Sequence, residues 1–390
     1  MNILVSSASY LFSDHAISSE GMMVYEICKR LAARKHRIFV LAPEVLVGSS
    51  IPHVHVFELG PRGILPLTDP VQEAVKWWSF AIKSRFKTRE ILKSENIDIL
   101  HHFSPSWPGS FSPVFDLHKP FIFGPIPLPS VRTLPSAIAP LRRIYKTFTY
   151  FLYNLTLKRA DKILIQLDGM KKLILPSYDF IEKKIETVPM GVDTRIFRPA
   201  RKEEDGNTIL FVGGLYRMKG LEFLLRAMPM VKEEVPDTHL VVVGDGPDRL
   251  FLQTVSREVK CSDYVSFLGF VPHSSIARHF QHATVFCLPS LSEAFGVSIL
   301  EAMASGKPVV ATSVGGIAHV VQHGGILVPP RSSKALASAL ITLLKDSSLR
   351  REMGKYGRQL TEKEFDYEII ATKIETIYQR SLHERYKNSL

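Results

Sequence analysis

Residues 289–311 read PSLSEAFGVSILEAMASGKPVVA, the pattern of a strand end, a loop, a short helix and the next strand. Gly306 follows the helical run, where a glycine readily ends a helix. The free N–H groups at the start of such a helix favour an anionic ligand such as a phosphate. Glu293 precedes the helix and Glu301 lies inside it, so the two carboxylates reach different parts of one ligand. Alternatively, Glu293 complements the helix dipole and Glu301 is a surface residue.

Short apolar runs rich in β-branched residues alternate with amphipathic runs of helical length along nearly the whole chain. This alternation predicts βαβ units, and its two series predict an α/β protein with two Rossmann-like domains facing across a cleft. The predicted domains are residues 1–190 and 191–364. Because ligands sit at the carboxyl ends of parallel strands, each domain is expected to bind one substrate. Residues 347–390 form a continuous helical pattern, and the helix at about 365–390 is expected to pack back on the first domain. The expected apolar face of residues 347–390 consists of Leu360, Phe365, Ile369, Ile370, Ile374 and Ile377.

The charge of the chain is unevenly distributed. The 390 residues carry 49 Lys and Arg against 38 Asp and Glu, a net charge of +11. Residues 1–190 hold 24 basic and 16 acidic side chains, a net charge of +8. A basic half predicts a phosphorylated substrate, an anionic membrane or nucleic acid as partner, whereas the alternative is an ordinary solvated surface. Nucleic acid is least favoured because no recognised binding module accompanies the charge.

Composition excludes several classes of protein. Hydrophobic residues make up 45% and charged residues 22% of the chain, which excludes a disordered or disulfide-scaffolded protein. The three cysteines are far apart and no Asp-x-Asp occurs, so no metal site is predicted.

The N-terminal apolar run lacks a preceding basic segment and is interpreted as a strand rather than a signal peptide. The most membrane-like run, 148–157, is too short to span a bilayer, which needs about 20 residues. We therefore expect a cytoplasmic protein, at most at the cytoplasmic face of the membrane.

Residues 289–311 closely resemble the signature of retaining glycosyltransferases of the family-4 type, which have the two-domain GT-B fold. In that signature two glutamates are separated by seven residues, with Phe-Gly after the first glutamate and Gly-x-Pro-Val after the helix. The resemblance implies that the second domain binds a nucleotide sugar and the first domain an acceptor. It also implies that Glu293 orients the sugar and that Glu301 holds the ribose. The matching residues are Glu293, Phe295, Gly296, Glu301, Gly306 and Pro308.

Other segments of the second half extend the resemblance. Residues 211–220, FVGGLYRMKG, are similar to the family's phosphate-binding turn, which makes Lys219 the catalytic candidate that neutralises the leaving diphosphate. The alternative for Lys219 is a solvated lysine. The family commonly has an arginine where this chain has Gly214, and Arg217 is the candidate substitute. Residues 267–271 are similar to the segment beside the nucleobase. The implied donor-binding residues are Gly213, Gly214, Arg217, Gly269, Phe270, Val271, Phe295, Gly296, Val297 and Glu301.

The first half matches the family less closely. The acceptor-side candidates are Gly21, in the loop and helix after the first strand, and His101 and His102, at the end of a later strand. A structural role for the histidine pair is the alternative. Many relatives have a histidine after the next strand, where this chain has Ile126. Basic and aromatic segments at 83–89 and 141–157 either lie on an anionic membrane and admit a lipid-linked acceptor, or are ordinary amphipathic helices.

The predicted function is retaining, metal-independent transfer of a hexose from a nucleotide sugar to an acceptor hydroxyl. The acceptor is a glycan, a lipid-linked sugar or a small molecule, and no cofactor is expected because the nucleotide sugar is a substrate. One alternative is a sugar-nucleotide epimerase or a sugar phosphorylase with the same fold. Another is a non-catalytic partner that binds a sugar nucleotide or stabilises a true transferase, which Gly214 and the missing histidine favour.

Overall fold

The computed structural model describes residues 1–7, 11–14, 19–60, 70–103, 111–126, 139–201 and 206–387. The chain divides into two units, Met1–Met190 with Glu368–Leu390, and Gly191–Tyr367. Each unit is built on one parallel sheet with helices between successive strands. The predicted α/β class and the two Rossmann-like sheets are therefore confirmed.

The first unit contains a seven-stranded sheet and a separate pair of short strands. Its strands within the described residues are β1 (Asn2–Ser7), β2 (Leu11–Ser13), β3 (Arg37–Ala42), β4 (Glu44–Leu46), β5 (Val54–Glu58), β6 (Ile99–Phe103), β7 (Phe121–Ile126), β8 (Lys162–Ile165) and β9 (Ile185–Thr187). Its helices are α1 (Ser19–Ala33), α2 (Pro70–Ser94), α3 (Ala139–Arg159) and α4 (Lys171–Ile174), joined by the terminal helix described below. The β2–β4 pair was not predicted from the sequence.

The second unit contains a six-stranded sheet. Its strands are β10 (Asn207–Val212), β11 (Thr238–Val243), β12 (Val265–Gly269), β13 (Val285–Leu288), β14 (Val309–Thr312) and β15 (Gly325–Val328). Its helices are α5 (Leu221–Glu234), α6 (Arg249–Glu258), α7 (His273–His282), α8 (Val297–Ala304), α9 (Ile317–Val321), α10 (Ser333–Lys345) and α11 (Ser347–Leu360). The β13 and β14 side chains are all buried, as expected for strands covered on both faces.

Both sheets change winding direction near their middle. The strand order is β5-β3-β1-β6-β7-β8-β9 in the first sheet and β12-β11-β10-β13-β14-β15 in the second. The chain therefore moves outward from β1 or β10 to one edge and then returns to build the other edge. In open parallel sheets the ligand crevice lies at the carboxyl ends of the two strands where this reversal occurs. These strands are β1 and β6 in the first unit and β10 and β13 in the second.

The predicted continuous helix at 347–390 is wrong. Helix α11 is followed by a π-helical turn, Thr361–Phe365, and Asp366 is extended before α12 (Tyr367–Lys387) begins. The break is stabilised by Val192, whose N–H donates to the Phe365 carbonyl at 2.9 Å and whose carbonyl accepts from the Tyr367 N–H at 3.1 Å. The Asp366 carboxylate also accepts from the Thr194 N–H. The apolar spacing continues through this break, so the pattern alone does not reveal it.

Helix α12 packs within the first unit. Glu375 accepts hydrogen bonds from Arg34 at 2.7 Å and pairs with His36 Nε2 at 2.8 Å. Lys162 lies 3.1 Å from Glu384, and the fully buried Tyr378 hydroxyl lies 2.6 Å from His101 Nδ1. Of the six residues predicted for the apolar face of 347–390, five are buried and Ile369 is exposed, but Leu360 and Phe365 precede α12. The helix is therefore held by a buried polar contact as well as by its apolar side chains.

Replacing Tyr378 with phenylalanine is expected to destabilise this attachment. The substitution leaves a buried ring nitrogen of His101 without its partner, which costs about 1–3 kcal/mol. The free energy of opening of the α12 amides, measured by native-state hydrogen exchange, should fall by that amount. Tyr178→Phe is the control, because the Tyr178 hydroxyl has no hydrogen-bond partner among the described residues and the ring contacts with Tyr153 and Phe180 are retained. Equal effects of the two substitutions would contradict this account of the attachment.

Candidate functional site

The two residues predicted to be catalytic lie in the loops at the winding reversal of the second unit. Strand β10 ends at Val212, and the chain continues to a 3₁₀ turn, Arg217–Lys219, before α5 begins. Strand β13 pairs with β10 and ends at Leu288, and its loop carries Glu293. The Leu291 N–H donates to the Met218 carbonyl at 2.7 Å, which joins the two loops directly. Residues 74 positions apart in the sequence are thus neighbours at the crevice expected from the sheet topology.

Lys219 and Glu293 form an ion pair at the centre of this site. Lys219 Nζ lies 2.6 Å from Glu293 Oε2, and the Ser290 hydroxyl donates to the same oxygen at 3.3 Å. The other carboxylate oxygen of Glu293, Oε1, makes no hydrogen bond within the described residues. An ammonium group has three N–H donors, so two donors of Lys219 remain for a ligand. The pair presents a cation and a carboxylate oxygen at the same place, and the alternative that Lys219 is simply solvated is wrong.

Glycines bring the surrounding loops into close contact. Gly220 has φ +64°, and a Cβ atom there would lie 2.0 Å from the Pro289 carbonyl oxygen. Gly315 has φ +53°, and a Cβ atom there would lie 1.8 Å from the Glu293 carbonyl oxygen. Any side chain at either position would collide with the loop that carries Glu293. These two glycines therefore allow their own loops to contact the backbone of the loop that carries Glu293.

The remaining residues of the predicted phosphate-binding turn lie around the end of β10. The Gly213 N–H donates to the Val243 carbonyl at 3.0 Å, and Gly214 lies beneath the Tyr216 ring, where a Cβ atom would come within 2.7 Å of a ring carbon. Arg217 is largely exposed, with its guanidinium 4.8 Å from the Phe251 ring centroid and 3.9 Å from Asp248. Arg217 is thus held toward α6, and its predicted role as the substitute cation stays a prediction.

Glu301 lies inside α8 and pairs with a histidine that the sequence analysis did not single out. Its side chain is only 8% exposed, so the alternative that it is a surface residue is wrong. Oε1 of Glu301 lies 3.1 Å from Nε2 of His273, the first residue of α7. Gly296, with φ +82°, precedes Val297 at the start of α8. Nothing in the local pattern of residues 273–301 signals this pair, because its members lie on separate helices.

The aromatic candidates have different environments. Phe295 is 3% exposed and packs edge-on against Phe365, with ring centroids 6.0 Å apart. This differs from its expected place beside the donor, because its ring faces the core of the unit. Gly269 accepts a hydrogen bond from the Gly244 N–H at 2.8 Å and has φ +76°. Phe270 is exposed and Val271 half-buried, so this segment offers backbone and an open aromatic ring.

The acceptor-side candidates of the first unit have structural contacts. A Cβ atom at Gly21 would lie 2.3 Å from the Leu11 carbonyl oxygen, so Gly21 permits α1 to approach β2. His101 is fully buried, with Nδ1 at 2.6 Å from the Tyr378 hydroxyl and Nε2 at 2.8 Å from the Gly124 carbonyl oxygen. His102 is equally buried and contacts Ser6 Oγ at 3.3 Å. Burial lowers the pKa of both histidines to about 3. The structural alternative therefore accounts for the pair, in contrast to the acceptor contact that the resemblance implies.

The described part of the chain contains neither a metal-binding cluster nor a membrane-spanning helix. No group of three or more His, Cys, Asp and Glu side chains that could hold a metal ion lies in the described part of the chain. Among the same residues, no helix is both long enough and apolar enough to span a membrane. Strands β1 and β6 are followed by residues 8–10 and 104–110, which lie outside the described ranges.

Solved structures that are similar over nearly the whole chain define the class of the fold. Sucrose-phosphate synthase from Thermosynechococcus elongatus is similar over 97% of this chain and 98% of that chain, with a TM-score of 0.73 and 21% sequence identity. Anabaena HepE, solved in complex with UDP, is similar over 97% of this chain and 100% of that chain, with a TM-score of 0.70 and 17% identity. The fold is therefore that of the GT-B glycosyltransferases.

Sequence comparison identifies the family. The model described as Glycosyltransferase Family 4 matches residues 21–196, and the model described as Glycosyl transferases group 1 matches residues 192–360. The chain belongs to the family-4-type glycosyltransferases, which confirms the resemblance stated from its motifs. Phosphatidyl-myo-inositol mannosyltransferase of Mycobacterium leprae is 35% identical over 178 residues, which is 45% of this chain and 46% of that protein. The chain spans about half the length of the curated relatives it matches.

Proposed function

We propose that this protein transfers a sugar from a nucleotide-sugar donor to an acceptor hydroxyl, with retention of the anomeric configuration and without a metal ion or other cofactor. The observation that carries this proposal is the Lys219–Glu293 pair, with its 2.6 Å contact, at the winding reversal of the second sheet. A cation at this position suits a leaving diphosphate, and a carboxylate beside it suits a sugar hydroxyl. HepE, which shares the fold, was solved with UDP, which supports a nucleoside diphosphate as part of the donor.

Stabilisation of the leaving group would come from two fixed sources of positive charge. Lys219 would donate to the diphosphate through the N–H groups that Glu293 does not occupy. The start of α8 at Val297 would add unpaired backbone N–H groups and the positive end of the helix dipole. Charges already placed where negative charge develops need no rearrangement during the reaction. We therefore propose that these groups supply the role that a divalent metal has in other folds.

Sugar transfer with retention would require no enzyme nucleophile. The bond between the acceptor oxygen and the anomeric carbon would form on the face from which the bond to the phosphate oxygen breaks. The acceptor proton would pass to a phosphate oxygen of the departing diphosphate. Glu293 Oε1 would accept a hydrogen bond from a hydroxyl of the sugar and hold the anomeric carbon in place. The acceptor would be bound by the first unit.

The test of this proposal is a donor screen on the full chain. Thermal melting in the presence of UDP-, GDP- and ADP-sugars should show stabilisation by one nucleotide class, because a ligand that binds only the folded state stabilises it by mass action. The same mixtures, supplied with sugar and lipid-linked acceptors, should release one nucleoside diphosphate per sugar transferred. An epimerase would instead convert the donor without releasing the diphosphate. A phosphorylase would require inorganic phosphate or a sugar phosphate in place of a nucleotide.

The non-catalytic alternative is favoured by two departures from the family pattern, Gly214 and the missing histidine, in whose place this chain has Ile126. Gly214 stands where the family commonly has an arginine, and Arg217 is held toward Asp248 and Phe251. A partner protein of this kind would bind a sugar nucleotide but would release no nucleoside diphosphate from it, whichever acceptor is supplied. Slow hydrolysis of the donor by the purified chain would argue against this alternative, since hydrolysis requires the same departure of the diphosphate.

We further propose that the first unit rests on an anionic membrane and that the acceptor is lipid-linked. In helix α2, Val75, Ile82 and Phe86 are 66%, 52% and 66% exposed. Their spacing places them on the same face of the helix as Trp78. The Trp78 ring stacks on the exposed Phe148 of α3 at 6.0 Å between centroids. Exposed basic residues of α2, among them Lys83 and Arg89, accompany this apolar face. The side chains of the predicted basic run at 141–146 lie outside what the structure describes.

Loss of two apolar side chains from this face is expected to weaken membrane binding. Ile82→Ser with Phe86→Ser should lower binding to vesicles that contain phosphatidylglycerol by about tenfold or more, since burial of each side chain is worth about 1.5–3 kcal/mol. Co-sedimentation measures this binding. The matched control is Leu250→Ser, which removes a 77% exposed apolar residue from the second unit. Equal binding by the double variant and the control would contradict the membrane proposal.

A further inference from the structure

The carboxylate of Glu301 is nearly enclosed by its own unit. The side chain is 8% exposed, and the carboxylate's hydrogen bond within the described residues is the contact of Oε1 with His273 Nε2 at 3.1 Å. Oε2 has no hydrogen-bond partner among those residues. A buried carboxylate is costly unless it is hydrogen-bonded, so the position of His273 controls where this carboxylate rests. One oxygen is thereby fixed, and the other is left for a ligand.

The ring of His273 is itself held in place. It is 12% exposed and packs against Phe197, with ring centroids 5.2 Å apart. Phe197 packs edge-on against Phe280 at 5.7 Å. The guanidinium of Arg358 donates to the carbonyl oxygens of Phe197 at 2.8 Å and of Ala304, the last residue of α8, at 2.7 Å. A single guanidinium therefore binds the backbone of Phe197, whose ring packs against His273, and the end of the helix that carries Glu301.

The sequence position of His273 links two parts of the donor site. Val271, the last residue of the segment that resembles the nucleobase-binding segment, lies two positions before His273. Glu301 lies four residues after Val297, the start of the helix whose N-terminus is proposed to face the phosphates. The His273–Glu301 contact is thus a direct connection between the segment proposed for the base and the helix proposed for the phosphates. The ribose of a nucleotide lies between its base and its phosphates.

We propose that His273 is a positioning residue that fixes Glu301 to accept hydrogen bonds from the ribose diol, and so makes the site selective for ribonucleotides. This inference rests on the proposed function, in which Glu301 holds the ribose. The Nε2–H group of His273 donates a hydrogen bond to Oε1 of Glu301, which orients the plane of the carboxylate. Oε2 then accepts a hydrogen bond from the 2′- or 3′-hydroxyl of the ribose. Without this hydrogen bond, the carboxylate turns toward other partners and no longer favours the diol.

The experiment compares two ligands on the full chain. Calorimetry measures the affinity for the nucleoside diphosphate that binds most tightly among UDP, GDP and ADP, and for its 2′,3′-dideoxy analogue. The wild-type protein should prefer the ribonucleotide by about 10-fold or more, the range of a hydrogen bond to a charged group. His273→Phe keeps the packing on Phe197 but removes the donor, and should lose most of this preference while the affinity for the dideoxy analogue is retained. His273→Gln places an amide N–H near the position of Nε2 and should restore most of it.

The variant Glu301→Ala separates failure of this inference from failure of the proposed function. If Glu301→Ala loses the preference and His273→Phe keeps it, His273 has a packing role and the inference is overturned, whereas the ribose role of Glu301 stands. Weaker binding of both ligands by His273→Phe, with the preference unchanged, overturns it as well. If Glu301→Ala keeps the preference, the ribose role itself is wrong. If no nucleoside diphosphate binds the wild-type protein, the donor site is wrong and the inference falls with it.

Discussion

Glu293→Gln is expected to lower the rate of sugar transfer by about 10²- to 10³-fold, the range found when one polar group of a preorganised site is removed. Oε2 of Glu293 contacts Lys219 and Ser290, and Oε1 is proposed to accept from the sugar. An amide of similar shape still accepts a hydrogen bond, but it carries no charge and cannot form an ion pair with the ammonium group. The contacts that orient the sugar and position the cation are therefore weakened, while the packing of the loop is retained.

The control for this substitution is Glu258→Gln. Glu258 is an exposed residue at the end of α6 in the same unit, so its replacement should leave the rate within experimental error. Initial rates of nucleoside diphosphate release, with donor saturating, measure the effect on kcat. Melting temperatures of the two variants establish that each is folded. A Glu293→Gln variant with a rate close to that of the Glu258→Gln control would remove Glu293 from its central role.

Lys219→Met is expected to reduce both transfer and donor affinity, with a loss in kcat of about 10²-fold or more. Methionine keeps an unbranched apolar stem but removes the charge that is proposed to neutralise the leaving diphosphate. The affinity for the nucleoside diphosphate should fall, whereas the affinity for the nucleoside without phosphates should be unchanged. Lys355→Met is the control, because Lys355 is an exposed residue of α11 in the same unit. Equal losses of affinity for the nucleoside and its diphosphate would contradict a phosphate role for Lys219.

The double variant tests whether the ion pair acts as a unit. Since Lys219 and Glu293 are in direct contact, removal of either disturbs the other, and their effects should not add. The combined variant Lys219→Met with Glu293→Gln should therefore transfer sugar at a rate close to that of the slower single variant. Full multiplication of the two losses would indicate that the residues act independently, despite the 2.6 Å contact.

The sequence predicted the parts of this site that depend on topology. The two parallel sheets followed from alternating apolar and amphipathic runs, and ligands in such sheets lie at the carboxyl ends of strands. Lys219 and Glu293 follow different strands that the sheet order places side by side. Their proximity was therefore implied once both strands were recognised. The 2.6 Å contact between them required the structure.

Other features depend on contacts that no local pattern records. His273 is the first residue of α7, and only the packing of α7 on α8 brings it to Glu301. Phe295 lies within the recognised motif, yet its ring faces Phe365, which is 70 positions later in the chain. His101 lies within β6, in a segment that resembles the acceptor side of the family, and its Nδ1 is hydrogen-bonded to the Tyr378 hydroxyl of the terminal helix. In each case a distant residue determines the environment of a side chain.

Secondary structure shows the same limitation. The break at Asp366 is stabilised by backbone hydrogen bonds to Val192, and the apolar period of the helix continues through it. Strand β15 is only four residues long and was not predicted, although it completes the edge of the second sheet beside β14. Short edge strands and local breaks are thus set by pairing with distant backbone rather than by their own composition.

Metal-independent sugar transfer with retention is tested by a proton NMR time course of nucleotide-sugar consumption in EDTA. The full chain is mixed with the donor class found in the thermal screen and with a lipid-linked acceptor in vesicles. We expect the donor to disappear as an equal amount of nucleoside diphosphate forms, with the transferred sugar keeping the donor's anomeric configuration. Glu293→Gln should show less than about one hundredth of this rate. An unchanged donor with the wild-type protein, or a product of inverted configuration, would contradict the account.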